Sequence, residues 1–180
     1  DLELYLRVSN GLYLKRCIVG GLERVFEFSR NFRNEGMDKT HNPEFTAIEF
    51  YEAYADYKDM MVHFETIWEK ACIAANGTTT INFQGHDIDL KTPWPRMTCF
   101  EALKNIGGLD VDSMSDDDLK AEMKKLHIEL DGGYLRGKAI LALFDELCED
   151  KLIQPTFITD FPKESSPLCK VHRENPELIE

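Results

Sequence analysis

The sequence has no run of 18 apolar residues, so no transmembrane helix is expected. It has no basic-plus-apolar leader, so nothing in it suggests export. It has no initiating Met. It opens on Asp1-Leu2-Glu3-Leu4-Tyr5, which already reads as a strand, and the expectation is a piece cut from a longer protein. Positive charge is scarce, with 21 basic against 33 acidic residues and a net charge of -12, which argues against a bulk-basic nucleic-acid binder. The five cysteines (Cys17, Cys72, Cys99, Cys148 and Cys169) are odd in number and widely spaced, without a Cys-x-x-Cys pair. A zinc site or disulfide framework is therefore not expected, and buried thiols in a reducing compartment are the plain reading. His86, His127 and His172 have no ligand-spaced partner, so no metal centre is read there. No internal repeat or low-complexity segment is present.

What is present suits one globular domain or slightly more: 180 residues, 43% hydrophobic and 30% charged. The charge is uneven. Residues 1–40 hold seven basic and six acidic groups, a balance of +1, so any anion site is expected in this part. The excess acid lies mainly in the stretch after 97.

Hydrophobic periodicity gives the elements. Residues 3–8 suit a strand, and 12–19 a short helix stopped by Gly20-Gly21. Residues 24–33 alternate, with Phe26, Phe28 and Phe32 on one parity and Glu27, Ser29, Asn31 and Arg33 on the other. The polar run 34–43 is a loop, and a second strand at 44–55 completes an antiparallel hairpin. Residues 58–75 read as a helix with Met61, Phe64, Ile67, Trp68, Ala71, Cys72 and Ala75 inward. Thr79–Phe83 and His86–Leu90 form a short hairpin turning at Gln84-Gly85. Thr98 caps a helix closed by Gly107-Gly108. Ser115, followed by Asp116, Asp117 and Asp118, starts another. A third helix spans 136–150, with Ile140, Leu143, Phe144 and Leu147 inward, and 153–159 is a strand.

The informative region is 33–51. On the parity of Arg33, the second strand places Phe45, Glu49 and Tyr51. A hairpin joining these faces makes a wall with one fixed cation, several carboxylates and two aromatic rings. The planar fork of Arg donates two parallel hydrogen bonds to a carboxylate or phosphate. Phe45 can stack on a flat heterocycle. A carboxylate with a phenol oxygen, as in Glu49 and Tyr51, suits an ammonium. Alternation alone also fits a plain surface, with Arg33 and Glu35 as a solvated pair, Phe45 in the core and Glu49 in water.

The wording of the sequence goes further. Phe32-Arg33-Asn34-Glu35-Gly36, His41-Asn42-Pro43-Glu44-Phe45-Thr46, Glu49-Phe50-Tyr51 and Ala53-Tyr54-Ala55-Asp56-Tyr57 resemble motif 2 of the class II aminoacyl-tRNA synthetases, in the form of the lysyl branch. The resemblance extends upstream through Leu12-Tyr13-Leu14-Lys15-Arg16 and Val19-Gly20-Gly21. It extends downstream through Leu152 to Thr159 and Ser166-Pro167-Leu168. It covers about 4–59 and 138–177, and is loose over 78–135.

That resemblance implies an α+β fold, an antiparallel sheet flanked by helices, with a helical insertion. It divides the chain into 1–96 (catalytic core with the motif 2 hairpin), 97–151 (helical insertion) and 152–180 (return to the catalytic sheet). It implies ATP-dependent activation of L-lysine to lysyl-adenylate, then transfer to the 3′ end of tRNA, in the cytoplasm and as a homodimer of the full-length parent. By position, Arg33 would act on the α-phosphate and the lysine carboxylate, as the catalytic residue. Glu35, His41, Asn42 and Phe45 would join it on ATP, and Glu49 and Tyr51 would hold the lysine ε-ammonium. Motif 1, the motif 3 Arg, the acidic Mg²⁺ ligands and the anticodon-reading OB-fold are not found in these residues, so the 180-residue piece alone is expected to be inactive. One departure stands out. Family members usually carry Pro-Glu where this sequence has Asn10-Gly11, and that Glu contacts the substrate α-amino group. Two other readings accompany this one: a paralogue that lysylates a protein, and a non-catalytic synthetase-like interaction module.

Overall fold

The computed structural model describes residues 2–180. The chain forms two compact units, 1–56 and 57–180.

The first unit is a helix on a hairpin. Helix α1 (Gly11–Val19) leads through a Gly20-Gly21 turn into β1 (Arg24–Phe32), which pairs antiparallel with β2 (Glu44–Glu52). Gly21, at φ 97, takes the left-handed conformation that glycine adopts without penalty. In the register, Val25 faces Tyr51, Glu27 faces Glu49, Ser29 faces Ala47 and Asn31 faces Phe45. All eight therefore share one face of the ribbon. Helix α1 lies against both strands, with Gly11 and Leu14 buried.

The covered face is the polar one. Ser29 and Asn31 are buried and hydrogen-bond each other, Ser29 Oγ to Asn31 Oδ1, at 3.2 Å. Phe26 and Phe28, on the apolar parity, are each 68% exposed and meet edge to face with centroids 6.3 Å apart. Residues 3–8, expected to be a strand, are not one. Their tie into the hairpin's backbone is the Phe32 N–H to the Arg7 carbonyl, and a single bond does not make a ladder.

The second unit opens with α2 (Tyr57–Asn76), followed by the hairpin β3 (Thr80–Phe83) and β4 (His86–Asp89). Gln84 and Gly85 both have positive φ, 51 and 87, as a two-residue primed turn requires. The stripe expected on α2 is buried at Cys72 but not at Trp68, whose reading as core is corrected: Phe64, Ile67 and Trp68 are exposed, and the unforeseen buried residue is Glu65. The reason is a polar anchor. The Glu65 carboxylate accepts the Trp94 backbone N–H at 2.8 Å and an Arg96 guanidinium N–H at 2.9 Å. The carboxylate thus meets the 90–96 segment beside Phe64, whose half-exposed ring packs edge to face on Trp94 and on Phe157, with centroids 6.0 and 6.2 Å apart. Trp94 in turn packs on Phe157 with centroids 5.5 Å apart, and Cys72, Leu90 and Trp94 form a small core.

Strand β5 (Arg96–Thr98) pairs in parallel with β6 (Phe157–Thr159), so this unit is not purely antiparallel. Thr98 caps α3 (Cys99–Ala102) in a reciprocal box with Glu101, and the chain continues as a π-turn over Leu103–Gly107 to a left-handed Gly108. Ser115 caps α4 (Asp116–Lys125) in the same way with Asp118. Helix α5 (Arg136–Leu147) follows. The core of this unit joins Cys99, Leu103, Leu119, Leu143, Phe144 and Cys148, with Ile158 and Phe161 packed against it. Burial pushes the Cys99 thiol up to about 12 and the Cys148 thiol upward too, so both behave as small core groups rather than nucleophiles. Strand β7 (Phe161–Pro162) pairs with β8 (Leu178–Ile179) near the end of the chain. At least coarsely, the architecture is mixed helix and strand with small, mostly antiparallel sheets.

Candidate active site

The first unit holds the residues singled out by sequence. Strand β1 ends at Phe32, so Arg33 is the first residue of the loop, still tied to the partner strand's side by its N–H to the Pro43 carbonyl at 2.9 Å. The Arg33 Nε donates to the Val8 carbonyl at 3.2 Å, and its guanidinium carbon lies 5.2 Å from the Phe45 ring centroid. Arg7, Arg24 and Arg30 each pair with a carboxylate (Glu27, Glu52 and Glu44). Arg33 forms no ion pair among the described residues, Glu35 included. The terminal nitrogens are therefore available to an anion, while Nε and the aromatic face hold the fork in place.

A cavity of about 280 Å³ opens beside this fork, lined by Arg33, Glu35, Gly36, Thr40, His41, Asn42 and Phe45. Ligand pockets begin near this size. The five residues expected to meet ATP thus stand around one space. Its loop wall is built by Asp38, which the sequence reading did not single out. One Asp38 carboxylate oxygen accepts the backbone N–H of Thr40 at 2.7 Å and of His41 at 2.8 Å, and it also meets the His41 ring Nδ1. These bonds hold the Asp38 carboxyl down to about 2. The signal was present as an Asp two and three residues before the amides it caps, the pattern of an Asx turn.

Glu49 and Tyr51 lie further along the same face, against the first turn of α1. A Cβ placed on Gly11 would sit 2.9 Å from Tyr51 Oη and 3.1 Å from Glu49 Oε2. Burial first, and the neighbouring Glu49 second, push the Tyr51 phenol upward. Glu49 Oε2 is buried and has no hydrogen-bond partner. Leaving such an acceptor unpaired costs about 1–3 kcal/mol, an energy that a donor ligand would return. Asn10, at the N-cap of α1, is fully buried. Its side chain makes no cap bond, its Nδ2 donates to the Glu27 carbonyl at 3.4 Å, and its Oδ1 is likewise unpaired.

The arrangement offers an anion fork and a stacking ring at one end of a sheet face and a buried acceptor group at the other. That is a chemistry for a molecule with phosphate, a flat base and an ammonium. The family model of class II tRNA synthetases (D, K and N) matches residues 1–180. The chain belongs to the class II tRNA synthetases.

Among curated relatives of this synthetase chain, the lysine–tRNA ligase of Christiangramia forsetii is 53% identical over 180 residues, all of this chain and 32% of the relative. That of Porphyromonas gingivalis strain W83 is also 53% identical, over 31% of its length. That of Clostridium novyi is 49% identical over 184 residues, 36% of its length. The chain thus spans about a third of the length of the curated relatives it matches. Among the described residues of this synthetase chain, no three His, Cys, Asp or Glu side chains converge on one position. No helix of the described residues is long and apolar enough to cross a membrane.

Proposed function

We propose that this chain is part of the catalytic domain of a lysine–tRNA ligase. It takes part in ATP-dependent activation of L-lysine to lysyl-adenylate and in transfer of the lysyl group to the 3′ end of tRNA. On this reading 97–151 is a helical insertion between catalytic segments 1–96 and 152–180. The complete protein works as a cytoplasmic homodimer, with Mg²⁺ held by residues other than these. The observation that carries the reading is the shared face of β1 and β2. It sets an unpaired Arg33 fork and the Phe45 ring beside a cavity, and the unpartnered Glu49 carboxylate further along the same strand.

Arg33 bonds the α-phosphate and the lysine carboxylate together. It thereby brings the attacking oxygen to phosphorus and stabilises the charge that builds during in-line displacement. Catalysis here is positional and electrostatic, without a covalent intermediate on the protein. Phe45 stacks on adenine from the side opposite the loop. Glu35 accepts from the adenine amino group, and His41 and Asn42 close the loop wall. Glu49 and Tyr51 accept the N–H groups of the ε-ammonium, which ends the isolation of Glu49 Oε2.

Gly11 favours a second reading, a paralogue with a changed acceptor, because that position presents no side chain to the substrate. One assay separates the two. The complete gene product is incubated with labelled lysine, ATP and either total tRNA or cell protein. Label on the tRNA supports the proposal, and label on protein alone overturns it in favour of the paralogue.

A further inference from the structure

Two acceptor oxygens in the first unit are buried with nothing to bond, Glu49 Oε2 and Asn10 Oδ1. They share a neighbourhood. The Asn10 amide donates to the Glu27 carbonyl, and Glu27 faces Glu49 across the ladder. Gly11, the next residue, stands against Glu49 and Tyr51. Native chains rarely leave buried acceptors unpaired. Asn10 also had a local remedy, since an N-cap Asn ordinarily accepts an N–H of the first helical turn. Its side chain makes no such bond. The nitrogen is spent on the sheet, and the oxygen is left for something else.

We propose that Asn10 is a substrate-binding residue, its Oδ1 joining the Glu49 carboxylate and the Tyr51 phenol oxygen as a three-acceptor site for the ε-ammonium of the amino acid. This rests on the reading above that lysine is the substrate. An ammonium carries three N–H donors and no acceptor, so it satisfies three acceptors at once. One of the three is a carboxylate, which matches the single positive charge. Among the described residues no cation pairs with Glu49, although the Lys15 ammonium lies 5.6 Å from the Tyr51 ring centroid. Gly11 borders the same site, its Cβ position lying 2.9 Å from Tyr51 Oη and 3.1 Å from Glu49 Oε2.

The test is lysine-dependent ATP–pyrophosphate exchange by the complete gene product, with lysine, Nε-methyl-lysine and Nα-methyl-lysine as substrates. Each methyl group removes one donor, and only Nε-methylation removes it at this site. The wild type is expected to favour lysine over Nε-methyl-lysine by about tenfold or more in kcat/KM, and a loss confined to Nα-methyl-lysine would overturn the inference. Asn10→Ala should raise KM for lysine and shrink that preference several-fold. A structural role for Asn10 would lower all three activities together and leave the ratio unchanged, and that result overturns the inference. So does a wild type that accepts both analogues as well as lysine, a measurement that needs no variant to fold. Exchange that does not depend on lysine at all would instead remove the functional reading, and this inference with it.

Discussion

The guanidinium carbon of Arg33 lies 5.2 Å from the centroid of the Phe45 ring, across the ladder from the end of β1. Each side chain fixes the other, and both border one cavity. On the proposed function the ring gives one face to the cation and is available to a base.

Phe45→Ala should therefore weaken ATP more than lysine. Stacking of a base on an aromatic ring is worth about 1–3 kcal/mol, so KM for ATP should rise by about tenfold or more while KM for lysine moves less. Phe45→Trp should restore most of the affinity. Steady-state exchange kinetics at varied ATP and varied lysine measure both.

Asp38 organises the loop wall by accepting the amides of Thr40 and His41. Its folded-state pKa is depressed, from 3.8 to about 2. A depressed carboxyl contributes stability above its unfolded value, and that contribution is lost as pH falls through the folded one. The turn should therefore persist through pH 4 and open as pH falls toward 2. An NMR titration of the Asp38 carboxyl carbon should show a midpoint near 2, and a midpoint near 4 would contradict the geometry. Asp38→Ala should raise KM for ATP without lowering the melting temperature of the second unit.

Gly137 in α5 is packed from outside. A Cβ there would fall 2.9 Å from the Pro162 Cβ and far inside contact distance of the Glu164 carboxylate. Helix propensity alone favours Ala over Gly by about 1 kcal/mol, yet overpacking costs about 1–3 kcal/mol. Gly137→Ala is therefore expected to destabilise despite its better propensity. Adding Glu164→Ala should recover part of the loss, since the Glu164 end is flexible, but not all, since Pro162 stays. Chemical denaturation of the single and double variants gives the sign.

Much of the hairpin was legible because side-chain parity has period two. Once Arg33 sat on one strand and Phe45, Glu49 and Tyr51 on the other, the register needed only the loop length, and the observed pairs Asn31–Phe45 and Glu27–Glu49 follow. Caps were legible too, since Ser115 and Thr98 each act with an acidic residue three positions on. Parity does not say which face is covered. Here the polar face lies under α1, and Phe26 and Phe28 are outside. Periodicity likewise placed α2 and its Phe64, which meets Trp94, but not Glu65, a buried carboxylate that apolar spacing cannot reveal. The pairing of Arg96–Thr98 with Phe157–Thr159 joins segments about 60 residues apart in three-residue strands, too short for alternation to be read.

Glu65 supplies a further check on how α2 is anchored. It is buried and holds both the Trp94 amide and Arg96. Removing one partner of a buried pair costs about 3–5 kcal/mol. Arg96 is partly exposed, so Glu65→Ala should cost somewhat less, about 2–3 kcal/mol. Trp94 should become more solvent-exposed, visible as a red-shifted tryptophan emission. An unchanged spectrum and melting temperature would mean that α2 is not anchored this way.

The central claim is that the Arg33 fork on this sheet face assembles ATP and lysine for adenylate formation. Lysine-dependent ATP–pyrophosphate exchange by the complete gene product, wild type beside Arg33→Ala and Arg33→Lys, tests it most directly. The account predicts exchange that requires lysine and falls by about 10²–10³ in Arg33→Ala. Arg33→Lys should recover little, because a point ammonium cannot bridge phosphate and carboxylate as the planar fork does. Exchange that ignores lysine, or that survives Arg33→Ala undiminished, would contradict it.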